Sequence, residues 1–420
     1  MVLDSLPDGE KAFWADARKH FLAGPDTESS FFPDWHPPHA PAERRKLVAP
    51  YALEIEGVPF HNFLVEPETS EGRGSWQTNT EKNWRFATTG FDYYLTASVR
   101  SLKEGRARDA SGFMNWLCHV LQDQASFIHS LQGPGGLQPF FFKEFFGPPP
   151  GRSHQTATDF LGEECPEVTL KGYTPRLLGT TVPEAAFHLY HRYRQVNRHT
   201  RRLLIPLIQS GYAEDAVKHE QIRESIALEV SRLLADLFHT VYCLSGERFS
   251  ADQTAPLDTV DMTELFPVEY PNHASSPYRF SPVVKGACLS NGEPPERVPL
   301  RLNLHRSDQK DPVTFDHGLG TGAHYKSVIS YGIPTDVYGR VELAVGLHEP
   351  LGRRGHVSVS ISLDETQLFQ REFSGSARAE PFTADVSPGG ILRWTVCALT
   401  EQWSDANNHV VWGAPTLIKR

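Results

Sequence analysis

The sequence predicts a two-part chain: an all-α helical bundle followed by an antiparallel, jelly-roll-like β-sandwich. Three observations carry this. Apolar residues recur at helical spacing from Pro7 to about Phe249. A proline-dense stretch then interrupts any helix, with Pro256, Pro267, Pro271, Pro277, Pro282, Pro294, Pro295 and Pro299. From Val298 onward, apolar and polar residues alternate. With 420 residues the chain also exceeds what one ordinary core organises. The boundaries read this way are 1–250 for the helical domain, 251–297 for a Pro-rich linker and 298–420 for the sandwich.

In the first part, Ser111–Ile128 places Phe113, Leu117, Val120 and Leu121 on one face, as an amphipathic helix does. Pro183–Ile208 follows Thr181 and Val182, a start signal with proline in the first turn. Glu214–Leu244 repeats the pattern through Ile222, Ile226, Val230, Leu233, Leu234, Leu237 and Phe238. Long loops are expected between Phe31 and Trp84, and loops of that length on a helical scaffold tend to carry function. In the second part the strand signals are Leu300, Leu302 and Leu304; Val341, Leu343 and Val345; Val357, Val359 and Ile361; and Ile391, Trp394 and Val396. Short strands at regular spacing with Gly and Asp turns indicate a sandwich.

Composition narrows the function classes. Hydrophobic residues are 39% and charged residues 22%, which excludes wholesale disorder. The net charge of −10 is shared evenly by the two parts, so neither has the basic bias of a general nucleic-acid or anionic-membrane binder. Apolar runs are short, Phe140–Phe142 for example, so no transmembrane segment is expected. Cys118, Cys165, Cys243, Cys288 and Cys397 show no zinc-ribbon spacing. One thiol must stay free, and Cys288 with Cys397 is an open pairing. Met1–Ala12 carries Asp4, Asp8, Glu10 and Lys11 and has no apolar core, so it does not read as a signal peptide.

The sharpest chemical signal is His119-Val-Leu-Gln-Asp123, with His129 six residues on. One helical turn separates His119 from Asp123, so both side chains leave the same face. Imidazole and carboxylate are suitable zinc ligands. A hydrogen-bonded core pair explains the same two residues equally well.

The segment Phe91–Ser130, with Tyr93, Tyr94, Leu95, Ala97 and Lys103-Glu104-Gly105 ahead of Trp116-Leu-Cys-His119-Val-Leu-Gln-Asp123, resembles the zinc-dependent phospholipase C / S1-P1 nuclease superfamily. Its hallmark is a helix with His, Asp four residues on and His six beyond, which His119, Asp123 and His129 match. The resemblance implies a helical domain whose zinc cluster hydrolyses phosphodiesters, with His119 and Asp123 at the catalytic centre. One zinc would be held by Asp34, His61, His119 and Asp123, and a second by His129 and Glu144. Two or three metals complete the family pattern. Phe140 stands where that pattern has a second-metal His, and Trp14 is internal where the family has an N-terminal Trp. The implied substrate is a phosphoester such as a phospholipid, with nucleic acid disfavoured by the acidic charge. The resemblance also implies a secreted or periplasmic protein.

The second part has its own resemblance. Val313-Thr-Phe-Asp-His317-Gly-Leu-Gly-Thr-Gly-Ala-His324, the Tyr338–Gly346 strand, the Val357–Phe369 hairpin and Asp405-Ala-Asn407-Asn408-His409-Val-Val-Trp412 are similar to the NPCBM module, a β-sandwich associated with carbohydrate binding. Sugar recognition uses an aromatic face and planar polar groups. Trp403, Asn407 and Trp412 are the leading candidates here, with Asn408, His317 and His324 beside them. Three functions therefore stay open: a zinc phosphodiesterase with an appended module, a glycan-binding protein whose helical part has become a scaffold, and a glycan-directed hydrolase.

Overall fold

The computed structural model describes residues 2–21, 51–55, 58–60, 80–123, 125, 166–268, 283–290, 296–304, 311–323, 326–375, 377–399 and 408–420. The chain divides into two units, Met1–Thr254 and Ala255–Arg420. The first is helical and the second is built of antiparallel sheets.

The helical unit opens with α1 (Val2–Ser5) and α2 (Asp8–Phe21) and contains a small hairpin of β1 (Glu54–Ile55) with β2 (Val58–Pro59). Among the described residues the long helices that follow are α3 (Thr80–Lys103), α4 (Ala107–Asp123), α5 (Val182–Tyr212) and α6 (Ala216–Gly246). The turn between α3 and α4 passes through Gly105, whose φ of +71° suits a residue without Cβ. Helix α5 packs on α3 and α6, and α2 packs on α4. The core is aromatic: Phe91 of α3 meets Tyr193 of α5 and Phe60 edge-on, at 5.5 and 5.9 Å between ring centres. Phe60 can sit there because α3 presents Gly90, where any Cβ would overlap the ring.

Capping explains the helix boundaries. Thr181 accepts from the Glu184 N–H, and Glu184 accepts in turn from the Thr180 N–H and hydroxyl. Asp215 caps α6, which ends at left-handed Glu247. The expected helix over 183–208 forms with both ends extended, to 182 and 212, whereas the one expected over 214–244 starts later, at 216 behind its Asp215 cap, and runs on to 246. The helix expected over 111–128 runs from 107 to 123, and residues beyond 125 in that stretch lie outside the described set. Trp14 packs edge-on against Phe238 in the core.

Residues 166–180 have no regular structure, so their backbone groups need other partners. Helix α6 supplies partners for two of them. Buried Asp236 accepts 2.7 Å bonds from the Tyr173 hydroxyl and the Arg176 N–H, and the Thr240 hydroxyl accepts from Leu178 N–H at 2.9 Å. The short helix α7 (Ala251–Thr254) closes the unit.

The sandwich unit corrects the linker expectation. The described residues of 251–297 include the strands β3 (Thr259–Asp261), β4 (Val284–Lys285) and β5 (Ala287–Leu289). Strand β3 pairs with β15 (His409–Lys419), β4 with β8 (Gly318–Gly322) and β5 with β6 (Arg297–Leu302). Strands of two or three residues show no periodicity, which hides them between prolines.

A six-stranded sheet runs β13 (Glu380–Asp385), β10 (Tyr338–Leu347), β15, β8 and β4, with β3 beside β15. A four-stranded sheet runs β12 (Thr366–Ser374), β11 (His356–Leu363), β14 (Gly390–Ala398) and β9 (Lys326–Ile333). A third sheet joins β5, β6 and β7 (Val313–Phe315). The expected alternation holds in β11, where Val357, Val359 and Ile361 are buried and the serines between them face outward. The two larger sheets meet at a stack of Trp394 on Trp412, 5.0 Å apart and tilted by 22°. The open Cys288–Cys397 pairing does not form: both thiols are free, and Cys288 lies in an apolar cluster with Leu300, Leu302 and Val411.

Candidate functional site

One end of the sandwich concentrates planar polar groups, and its geometry follows from strand ends that meet there. Asn408 precedes β15. Its carbonyl accepts from the Ala323 N–H after β8 at 3.1 Å, and its side-chain oxygen accepts from the His356 N–H at the start of β11 at 3.0 Å. The His409 carbonyl accepts from the His348 N–H at the end of β10. Asn408 and His409 thus tie three chain segments to one point, and both are buried.

His348 has a fixed role in this knot. Its Nε2 donates to the Pro299 carbonyl at 2.9 Å, while Nδ1 accepts from the Leu351 N–H at 3.2 Å. A ring that accepts at one nitrogen is neutral, and burial pushes the His348 pKa down in agreement. The next residue, Glu349, is 13% exposed, with its carboxylate 2.6 Å from Arg353 and 3.9 Å from Arg301. Both guanidiniums reach solvent. His356, 41% exposed, lies 3.7 Å from Glu372. Carboxylate, guanidinium and imidazole groups fixed at one rim are the kind of set that recognises arrays of hydroxyls.

The candidates from the sequence fall in different places. Trp412 is a correction: it is fully buried in central strand β15, stacked on Trp394, and its indole N–H donates to the Thr321 hydroxyl at 3.0 Å. No ring face is left for a sugar. The sequence placed Trp412 in the closing segment of the resemblance but did not show that Trp394 of the facing sheet covers it. Asn408 lies at the polar end just described. His317 lies at the opposite end of β8, roughly 17 Å of strand away, with Nδ1 3.1 Å from Asp261. Trp403, Asn407 and His324 lie outside the described residues. Glu349, Arg301 and Arg353 had no signal in the sequence beyond ordinary surface charge.

In the helical unit, His119 is half-buried near the end of α4, and Asp123 is the last residue of that helix. Asp34, His61, His129 and Glu144 lie outside the described residues. Among the described residues, no group of three or more His, Cys, Asp or Glu side chains is arranged to hold a metal. No helix among the described residues is long and apolar enough to cross a membrane.

Comparison with known proteins bears on the sandwich. The family model described as NPCBM/NEW2 domain matches residues 290–418. Among solved structures, the CBM51 module of Clostridium perfringens GH95 in complex with methyl-galactose is 21% identical, with a TM-score of 0.31, covering 38% of this chain and 99% of that one. The tandem CBM51 modules of the family 98 glycoside hydrolase from Streptococcus pneumoniae SP3-BS71 are 15% identical, with a TM-score of 0.32, covering 41% of this chain and 51% of that one. CBM51-2 and INT domains of Clostridium perfringens ZmpB, in complex with GlcNAc, are 14% identical, with a TM-score of 0.31, covering 38% and 31%. No curated protein matches the chain. The family match lies within the antiparallel sandwich unit and begins beyond the helical unit.

Proposed function

We propose that this protein binds a glycan through its sandwich unit, with the helical unit as a scaffold. The NPCBM/NEW2 match over residues 290–418 is the observation that carries this reading, because the module is associated with carbohydrate binding. The polar end around Asn408 supplies groups suited to hydroxyl recognition: the Glu349 carboxylate, the Arg301 and Arg353 guanidiniums and the His356 ring. Trp403 and Asn407, in the segment entering β15, are proposed as the aromatic platform and an additional amide.

The test is titration of the full chain with galactosides and N-acetylglucosaminides, preceded by a glycan array. Binding that weakens at least tenfold in Glu349→Ala and in Trp403→Ala, with unchanged melting, is the expected result. An array that stays blank at millimolar-sensitive detection overturns the reading.

A second reading keeps a metal-dependent phosphoesterase in the helical unit. It is favoured by one observation, that α4 includes both His119 and Asp123, so their one-turn spacing exists on a real helix. Zinc at Asp34, His61, His119 and Asp123, with His129 and Glu144 at a second metal, remains its proposed ligand set. Elemental mass spectrometry on the purified chain beside His119→Ala and Asp123→Asn decides it. Zinc lost in both variants supports a hydrolase and justifies screening phosphodiesters, phospholipids first. A metal-free chain rejects it. Zinc together with glycan binding would define a glycan-directed hydrolase.

A further inference from the structure

A buried polar cluster joins the two ends of the helical unit. Glu10 from α2 and His239 from α6 are 229 residues apart, yet their side chains meet at 2.8 Å through Glu10 Oε1 and His239 Nδ1. Their side chains are only 7% and 5% exposed. On the other edge of the ring, His239 Nε2 lies 3.0 Å from the amide nitrogen of Gln253 in α7. The Cys243 sulfur sits alongside the ring, 3.7 Å from Nε2 and 4.0 Å from Nδ1. Glu10 and Cys243 are the titratable groups that face His239; Gln253 is neutral.

Gln253 also has a second task. Its amide oxygen accepts from the Ser250 N–H at 3.3 Å, while the Ser250 carbonyl accepts from the N–H groups of Gln253 and Thr254. Ser250-Ala-Asp-Gln253 is thus a capping arrangement in which the third helical residue reaches back to the capping residue's N–H. The amide is shared between this cap and the histidine.

The two bonds of that amide are compatible with only one protonation state. With nitrogen toward the ring, Gln253 donates to an Nε2 that carries no proton. A ring protonated at both nitrogens must donate to the amide oxygen. A half-turn of the amide achieves this, but it points the NH2 group at the Ser250 N–H, donor against donor. We propose that Glu10, His239 and Gln253 form a proton-sensing latch, in which protonation of His239 reverses the Gln253 amide and uncaps the turn 250–254 that ends the helical unit. Cys243 and Glu10 together set where the latch trips. A buried carboxylate with one partner favours a cationic neighbour. Burial alone lowers the His239 pKa, but Cys243 and Glu10 outweigh it and lift it to about 10. The capped form is accordingly the alkaline one.

The experiment is a pH titration of the full chain by NMR, with histidine ring and serine amide labels. Loss of signal in His239→Gln and Ser250→Ala assigns the two resonances. The Ser250 amide is expected to shift with the same midpoint as the His239 ring, above the ordinary 6.5. Glu10→Gln should lower that midpoint by about 1–3 pH units. Gln253→Ala, which trims a residue at the end of the unit, should leave His239 titrating while Ser250 stops responding. A Ser250 amide that does not titrate in the wild type overturns the latch. So does a Ser250 response that survives Gln253→Ala, or a His239 midpoint that Glu10→Gln leaves in place. If Glu10→Gln does not fold, the wild type and Gln253→Ala still decide the case.

Discussion

Trp412 separates a core residue from a sugar platform, and the two assignments give opposite outcomes on substitution. The side chain is fully buried between the sheets, stacks on Trp394 at 5.0 Å, and donates a 3.0 Å bond to Thr321. Trp412→Ala removes the stack and leaves a cavity, which costs ~3–5 kcal/mol. At ~2–4 °C per kcal/mol for a unit of this size, the sandwich transition should fall by roughly 6–20 °C. Trp412→Phe keeps an aromatic ring but loses the indole bond. Thr321 still donates to the Val410 carbonyl at 3.4 Å, so the lost bond costs only ~1 kcal/mol, with a similar amount from the smaller ring. Calorimetry of the full chain, paired with glycan titration, is the assay. The core assignment requires a modest drop in melting for Trp412→Phe and unchanged glycan affinity. A Trp412→Phe protein that melts like wild type and no longer binds glycan would refute it.

Other expectations follow from particular contacts. Burial raises the Asp236 pKa against the bonds from Arg176 and Tyr173, so the charged form is costly although it anchors residues 166–180. Asp236→Ala should therefore cost ~2–4 kcal/mol in denaturant unfolding, while Asp236→Asn, which keeps the acceptor oxygen, should stay within ~1 kcal/mol. The raised His239 pKa means that the folded chain holds this proton more tightly than the unfolded one. Its stabilisation is complete below about 6.5 and is lost as pH rises toward about 10. Unfolding curves of wild type and Glu10→Gln should accordingly converge across that window. Gly320→Ala would drive a Cβ into the Ala287 carbonyl and the Cys288 sulfur, and should cost more than ~2 kcal/mol, read as a lower sandwich transition.

The sequence by itself determined the division into a helical and a β-rich part. Helical spacing over 183–208 and 214–244 and the Thr181–Pro183 start signal are local properties, so the helices could be read directly. The same holds for β11, whose alternation of Val357, Val359 and Ile361 with serines fixes its buried face. The block around Phe315–Gly322 and Asn408–Trp412 was also legible, because those residues are contiguous.

Tertiary structure decided the rest. Strands β3, β4 and β5 exist only through partners far away in sequence, such as Thr259–Asp261 on Thr416–Ile418, so a proline-rich text hid them. Trp412 became core because β15 is flanked by strands on both sides and covered by Trp394, a fact set by topology. The polar end at Asn408 needed three strand ends to converge before Glu349, Arg301 and Arg353 had any common meaning. The Glu10–His239 contact, closed across 229 residues, has no local signature at all. Periodicity and capping record each residue's near neighbours. A site is a set of distances between remote residues, and only the folded chain fixes those.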